Sequence, residues 1–320
     1  MQDFIAIAMA ADARYAQHAA VAMVSIAAQA AHPEQIRFYF LADAVPDAVL
    51  ARMRASVEPL GSTLQVVPYS NADKSQLFVS GQLSPTAYTR LSIAELLPVE
   101  VERVLYLDCD IIVRDDIAQL WRYDLHGQAL GAVKDFGIMA SHKSWAQKCQ
   151  LMPLHGGMAY FNSGVLLLDL QMWRQEGYGQ TLLDMVKKQR FPHHDQDALN
   201  LLFCGRWQVL PMCWNVIPPV YNMFLKVLSR ARFRREAVQA LQHPALIHYA
   251  GGYKPWEYDL HPGFNDLYYK YLAQSAFSDV SMPQFDARKK HRSIARQMRR
   301  LQWGRFWSHL CGGHTDEVKG

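Results

Sequence analysis

The segment FIAIAMA, residues 4–10, is apolar without interruption. A strand wetted on one side alternates polar and apolar residues, so an unbroken run fits a strand buried on both faces. Such strands belong to parallel sheets covered by helices on each side. The following residues agree. An Ala-rich helix is expected from about 16 to 30, a strand at IRFYFLAD (36–43), a helix over 46–60 and a strand at LQVVPY (64–69). Gly61 suits the residue that ends the second helix. This β-α-β-α-β order predicts an α/β fold with a mostly parallel central sheet and helices on both faces. Such sheets bind ligands beyond the C-terminal ends of their strands, which makes the loop AADARY (10–15) a nucleotide-binding candidate. That loop contains no GxGxxG, and the chain has no Walker A motif. A metal is the natural substitute for holding phosphate.

Farther along, TAYTRLSIAELL predicts a helix over 86–97, stopped by Pro98. Strands are expected at 103–107, 129–133, 164–169, 206–211 and 245–249, with helices over 180–190 and 195–203. Aromatic and Pro-rich loops fill 211–224 and 251–264. Residues 275–287 read as a linker.

The 320 residues carry a formal charge of +4, from 33 basic and 29 acidic residues. Residues 288–305 contain eight basic residues and no acid, which leaves 25 basic against 29 acidic elsewhere. The chain is an acidic body with a basic tail and offers no basic groove for nucleic acid. Five cysteines without a CxxC pair argue against a disulfide framework and for a reducing compartment. No apolar run is long enough to span a bilayer. Ala28-Gln29-Ala30 mimics a signal-peptidase site, but the acidic start MQDF does not fit a signal peptide. A cytoplasmic protein is expected.

The strongest chemical signal is LYLDCDIIV, residues 105–113. In an extended chain residues i and i+2 share a side, so Asp108 and Asp110 can converge on one hard cation such as Mn²⁺ or Mg²⁺ while Cys109 points away. Haloacid-dehalogenase phosphatases also follow an apolar strand with DxD, but early in the chain and with Thr or Val where Ile112 stands. A non-catalytic nucleotide-sugar-binding protein is a further alternative. In IHYAGGYKPW (247–256), His248 can complete a borderline cation's ligand set, the glycines admit phosphate close to the backbone, and Lys254 can neutralise diphosphate. In HHDQDALNLLF (193–203), Asp195 is placed to cap a helix, which leaves Gln196 and Asp197 unexplained. In YFNSGVLLLDL (160–170), Asn162 and Ser163 are expected in a turn before a buried strand.

Together these segments resemble glycosyltransferase family 8, in particular the bacterial lipooligosaccharide and lipopolysaccharide galactosyl- and glucosyltransferases. The likeness spans about residues 5–265, with AADxxY, AYTRL (87–91), LYLDCDIIV, LGAVKD (130–135), FNSGVLLLDL, DQDALN (195–200) and HYAGGYKPW in the family's order. The resemblance implies a Rossmann-like GT-A fold and a retaining, metal-dependent transfer of galactose or glucose from UDP-galactose or UDP-glucose to a lipid-linked saccharide acceptor. It implies Asp108, Asp110 and His248 as Mn²⁺ ligands. Ala10, Asp12 and Tyr15, with Cys109 and Ser163, would bind nucleotide. Gly251 and Lys254 would hold the diphosphate. Arg90, Asp135 and Asn162 would hold the donor sugar, with Asp195 and Gln196 by the anomeric carbon. The family often has Asn where Arg14 stands, and Cys or Gly in place of Ala250. The implied division is a catalytic domain over 1–274, split near 115 into nucleotide and acceptor halves, then the linker and a tail over 288–320. The tail sequence RKKHRSIARQMRRLQWGRFW (288–307) fits a helix lying on an anionic membrane surface.

Overall fold

The computed structural model describes residues 2–69, 85–155, 157–221, 234–252, 254–257 and 264–280. The basic tail and most of the linker lie outside them. The strands are β1 (Ile5–Asp12), β2 (Ile36–Asp43), β3 (Thr63–Tyr69), β4 (Arg103–Leu107), β5 (Ile111–Val113), β6 (Leu130–Lys134), β7 (Phe161–Asp169), β8 (Gln208–Leu210) and β9 (Leu246–His248). Seven form one sheet in the order β3-β2-β1-β4-β7-β6-β8, and β5 pairs with β9 in a second. In the large sheet every strand runs one way except β7, which is antiparallel to β4 and β6.

The period-2 alternation of the strands divides the core into two layers. Ile5, Ile7 and Met9 of β1 and Phe38 and Phe40 of β2 face one layer, with Leu105 and Leu107 of β4. Ala6, Ala8, Tyr39, Leu41, Val104 and Tyr106 face the other. The first layer contains α1 (Ala16–Gln29) and α2 (Asp47–Val57). Small side chains let α1 pack tightly, and Ser25 Oγ accepts the backbone N–H of Val113 at 3.0 Å, pinning β5 to this helix. The left-handed Gly61 (φ 95°) follows a short 3-10 turn after α2, as the sequence predicts.

Three segments differ from the sequence expectation. The segment expected as a helix over 86–97 is a 3-10 coil over Pro85–Ser92 followed by one α-turn, Ile93–Leu96. Thr, Tyr and Ser form α-helix poorly, and the three-residue repeat stacks Tyr88 on Leu91, both buried. Asn162 and Ser163 lie inside β7 rather than in a turn before it. The expected linker begins packed, because Arg52 of α2 donates to the Ala276 carbonyl (2.7 Å) and lies over the Phe277 ring.

The coil that carries Arg90 is fastened from behind. Arg174, in the helix Leu170–Glu176, donates to the carbonyls of Ala94, Leu97, Pro98, Val99 and Val101 at 2.9–3.3 Å. Arg174→Leu orphans these acceptors and should lower stability by about 2–3 kcal/mol, read from the urea midpoint. Lys, without the guanidinium fork, should recover less than half of that. An unchanged midpoint would mean that packing alone holds the loop.

Candidate functional site

β4 ends at Leu107 and β5 starts at Ile111, so Asp108-Cys109-Asp110 bridges the two sheets. The carboxylates converge from this connection rather than from one extended strand. Cys109 is buried as expected, and its Sγ donates to the Ala10 carbonyl at 3.3 Å, tying the end of β1 to the motif. Antiparallel pairing sets Ile111 opposite His248, and the N–H of Tyr249 donates to the Asp110 carbonyl at 2.8 Å. This ladder carries the imidazole across 138 residues of chain to the carboxylates. His248 Nε2 lies 3.2 Å from Asp110 Oδ1 and 3.8 Å from Asp108 Oδ2. One ligand atom from each of the three residues lies within 4.8 Å of the others. Two carboxylates and an imidazole suit a borderline divalent cation. The sequence singles out none of the crowding behind them. A Cβ on Gly164 would sit 2.3 Å from His248 Cε1 and 2.7 Å from Asp108 Oδ2. Glycine is the residue that leaves His248 and Asp108 their space.

Positive charge balances the cluster. The buried Arg90 guanidinium contacts Asp108 Oδ1 (2.7 Å) and Asp195 Oδ2 (3.1 Å), donates to the Ser163 carbonyl (2.6 Å) and lies over the Tyr106 ring. Burial alone would lower its pKa, but Asp108 and Asp195 outweigh that and raise it. Lys254, also buried, bonds Asp110 Oδ2 and the Tyr249 carbonyl. Burial pushes the Asp110 carboxyl up, but Lys254 and His248 prevail and hold it below the usual carboxylate range.

Beside this cluster lies a bulge. Between Ala132 and Val133 of β6 the partner on β7 jumps from Leu166 to Asn162. The extra residues turn the FNSG backbone toward the site, a common device beside active sites. The N–H of Ser163 donates to Gln196 Oε1 (3.1 Å), and Asn162 Nδ2 donates to the same oxygen (3.2 Å). Gln196 Nε2 donates to Asp135 Oδ2 (3.1 Å) and to the Tyr160 hydroxyl oxygen (3.2 Å). Asp135 caps the turn Phe136–Met139 through the N–H of Ile138 (2.9 Å). Asp195 does not cap its helix. His193 holds that position, His194 takes φ 44°, and Asp195 lies one residue inside the helix His194–Leu202. Its Oδ2 accepts from Ser163 Oγ at 3.1 Å, and burial raises its pKa. Asp197, fully buried, accepts from Lys148 Nζ, from the Tyr160 hydroxyl (2.7 Å) and from the His193 N–H (2.8 Å). The sequence gives no sign of Lys148 or Tyr160.

The loop expected to bind nucleotide forms the rim. Asp12 ends β1, accepts the N–H groups of Arg14 and Tyr15 and pairs with the Arg14 guanidinium at 2.8 Å. Tyr15 meets Trp256 edge-on, and Trp256 stacks on His18 with centroids 3.7 Å apart. Burial lowers the His18 pKa to about 3, so the stacked ring is neutral at pH 7. Gly251 takes φ 93° between His248 and Lys254, a conformation that favours glycine.

Residues 6–259 match the profile of glycosyl transferase family 8. The chain belongs to glycosyl transferase family 8. It is 30% identical to the lipopolysaccharide 1,2-glucosyltransferase of Escherichia coli K12, over 89% of this chain and 84% of that protein. It is 26% identical to general stress protein A of Bacillus subtilis strain 168, over 87% and 96% of the two chains. The structure of the galactosyltransferase LgtC with donor and acceptor sugar analogues superimposes with a TM-score of 0.74, at 29% identity, covering 88% of this chain and 98% of LgtC. This family 8 glycosyltransferase therefore has the GT-A fold. The family match sets aside the phosphatase reading of its DxD motif. If the cluster holds a divalent cation, Gly164→Ala should weaken its affinity for the probe ion Mn²⁺ by at least about tenfold, measured by electron paramagnetic resonance of the free ion. Parent-like affinity would show that the ligands make room for the methyl group without cost.

Proposed function

We propose that the chain is a retaining hexosyltransferase, moving galactose or glucose from its UDP-sugar to a hydroxyl of a lipooligosaccharide- or lipopolysaccharide-type acceptor. The observation that carries this reading is the convergence of Asp108, Asp110 and His248 at the C-terminal edge of the sheet, between the buried cations Arg90 and Lys254. The donor set fits Mn²⁺ better than Mg²⁺, which prefers oxygen ligands alone. When bound, the ion supplies Lewis-acid neutralisation of the diphosphate leaving group.

The protein's own groups do the rest. Ala10, Asp12 and Tyr15 line the uridine pocket. Gly251 lets backbone approach the diphosphate, and Lys254 adds positive charge there. Arg90, Asp135 and Asn162 orient the donor sugar. Gln196 is a poor nucleophile because its amide oxygen is neutral and already accepts two N–H groups. Asp195 is chemically better, but Arg90 and Ser163 occupy its Oδ2. These restraints favour attack from the leaving-group face, with a donor phosphate oxygen taking the acceptor proton. A glycosyl adduct trapped on Asp195 would overturn that route. UDP release with Mn²⁺, across a panel of UDP-sugars and lactosyl or lipopolysaccharide-core acceptors, tests the whole reading. Asp108→Ala should lower turnover at least about a hundredfold. Hydrolysis of phosphate monoesters without UDP release would refute it.

The acceptor class accounts for the tail. No described helix is long and apolar enough to cross a membrane, and a lipid-linked acceptor lies at a membrane surface. Residues 288–307 would hold the enzyme on the anionic inner face of the cytoplasmic membrane, each basic residue contributing about 1 kcal/mol. Removing residues 288–320 should shift the protein into the soluble fraction and leave UDP-sugar hydrolysis intact. An unchanged distribution would sink the membrane assignment.

A further inference from the structure

Asn215 belongs to none of the motifs above. It follows the 3-10 turn Met212–Trp214 and is buried. The next residue, Val216, pairs with β9: its N–H donates to the Leu246 carbonyl (2.9 Å), and its own carbonyl accepts the N–H of His248 (3.1 Å). This pairing holds the Asn215 amide between two site residues. Asn215 Oδ1 lies 2.8 Å from His248 Nδ1, and Asn215 Nδ2 lies 2.9 Å from Asn162 Oδ1.

We propose that Asn215 is a positioning residue that sets the hydrogen-bond direction of the site, turning the His248 Nε2 lone pair toward the metal position and the Asn162 amide nitrogen toward Gln196 and Asp135. The proposal rests on the metal reading given above. The direction follows from groups that have no freedom. The backbone N–H of Gly164 donates to one oxygen of Asn162, at 3.0 Å, so that atom is the carbonyl Oδ1. The group facing Asn162 Oδ1 from the other side must then be a donor, which makes it the NH₂ of Asn215. The remaining Asn215 atom is its carbonyl oxygen, and it accepts from His248 Nδ1–H. With a cation in the site, an imidazole that keeps its proton at Nδ1 would offer its Nε2 lone pair to that cation, between Asp108 and Asp110. On the other side, Asn162 Nδ2 is left to face Gln196 Oε1 and Asp135 Oδ2 (3.2 and 3.4 Å). The N–H of Ser163 fixes Gln196 independently, because it also donates to Oε1. Adjacent backbone amides of β7 thus orient the sugar side directly and the metal side through Asn215. Outer partners of metal-bound histidine act in this way generally.

Two variants of the full chain separate these arms. Asn215→Leu removes both, so Mn²⁺ affinity, read by electron paramagnetic resonance without nucleotide, should fall about 10–100-fold. Asn215→Asp keeps an acceptor for His248 but turns a carboxylate oxygen on Asn162 Oδ1. Its Mn²⁺ affinity should stay within about threefold of the parent, while kcat for UDP release at saturating Mn²⁺ falls at least about tenfold. A purely structural role would lower the melting temperature in both variants and leave Mn²⁺ affinity alone. Parent-like Mn²⁺ affinity in Asn215→Leu, or parent-like kcat in Asn215→Asp, overturns the proposal. If the Leu variant does not fold, the Asp variant decides, because the proposal requires its affinity and turnover to part. A parent chain that binds no Mn²⁺ overturns the metal reading, and this inference with it.

Discussion

Five carboxylates, those of Asp108, Asp110, Asp135, Asp195 and Asp197, are gathered at one edge of the sheet, and water covers few of their oxygens. An ionised carboxylate withdrawn from water is unfavourable by several kcal/mol unless paired, and like charges this close add to that. The surrounding architecture answers this constraint. Arg90 serves Asp108 and Asp195 together, Lys254 serves Asp110, and Lys148 serves Asp197. Asp135 takes a different solution, neutral donors from Ile138, Gln196 and Asn162. The three cations come from a 3-10 coil, a loop and a helix that are distant in sequence. The segment that follows the Arg90 coil is braced by the Arg174 fork.

Charge balance fixes which groups meet but not which way each points. Direction comes from β7. Its bulge exposes the N–H groups of Ser163 and Gly164, which are donors without an alternative form. Every amide beyond them must comply, so Gln196, Asn162 and Asn215 each have one orientation consistent with their neighbours. Gly164 has a second role in the same place, because the missing side chain is the space that His248 and Asp108 occupy. One glycine therefore supplies both a direction and a volume. A regular, fully paired strand could do neither, which accounts for the bulge.

Local signals made much of this legible in the sequence. The apolar runs identify β1, β2 and β4, and DxD after an apolar strand identifies two of the three clustered side chains. His248 stands out because glycines and a lysine follow it. Features set by distant pairing were not legible. Nothing near Ile111 shows that it faces His248, so the second sheet is invisible until both strands are placed. The sequence points to Asp195 as the cap, but the helix starts at His194, which takes positive φ, and a single residue's φ leaves no periodicity to detect. The FNSG bulge looks like a turn because Asn and Ser favour turns, and its pairing with β6 resumes only across the sheet. Lys148 and Asn215 carry no local signal, since each is defined by a side chain many residues away.

The segment from His248 to Trp256 shows why the most compact motif is also the most informative. Nine residues deliver the imidazole, the left-handed Gly251, the lysine on Asp110 and the indole stacked on His18. His248 is held by β5, and Trp256 is held by α1, so both ends are anchored to the body. Gly251 takes a left-handed φ of 93° between the two, and Lys254 contacts Asp110. Trp256, stacked on His18, also meets Tyr15 at the start of α1 edge-on. The groups that meet the carboxylates, His248 and Lys254, and the indole that meets the rim proposed for the nucleobase therefore sit on one short segment.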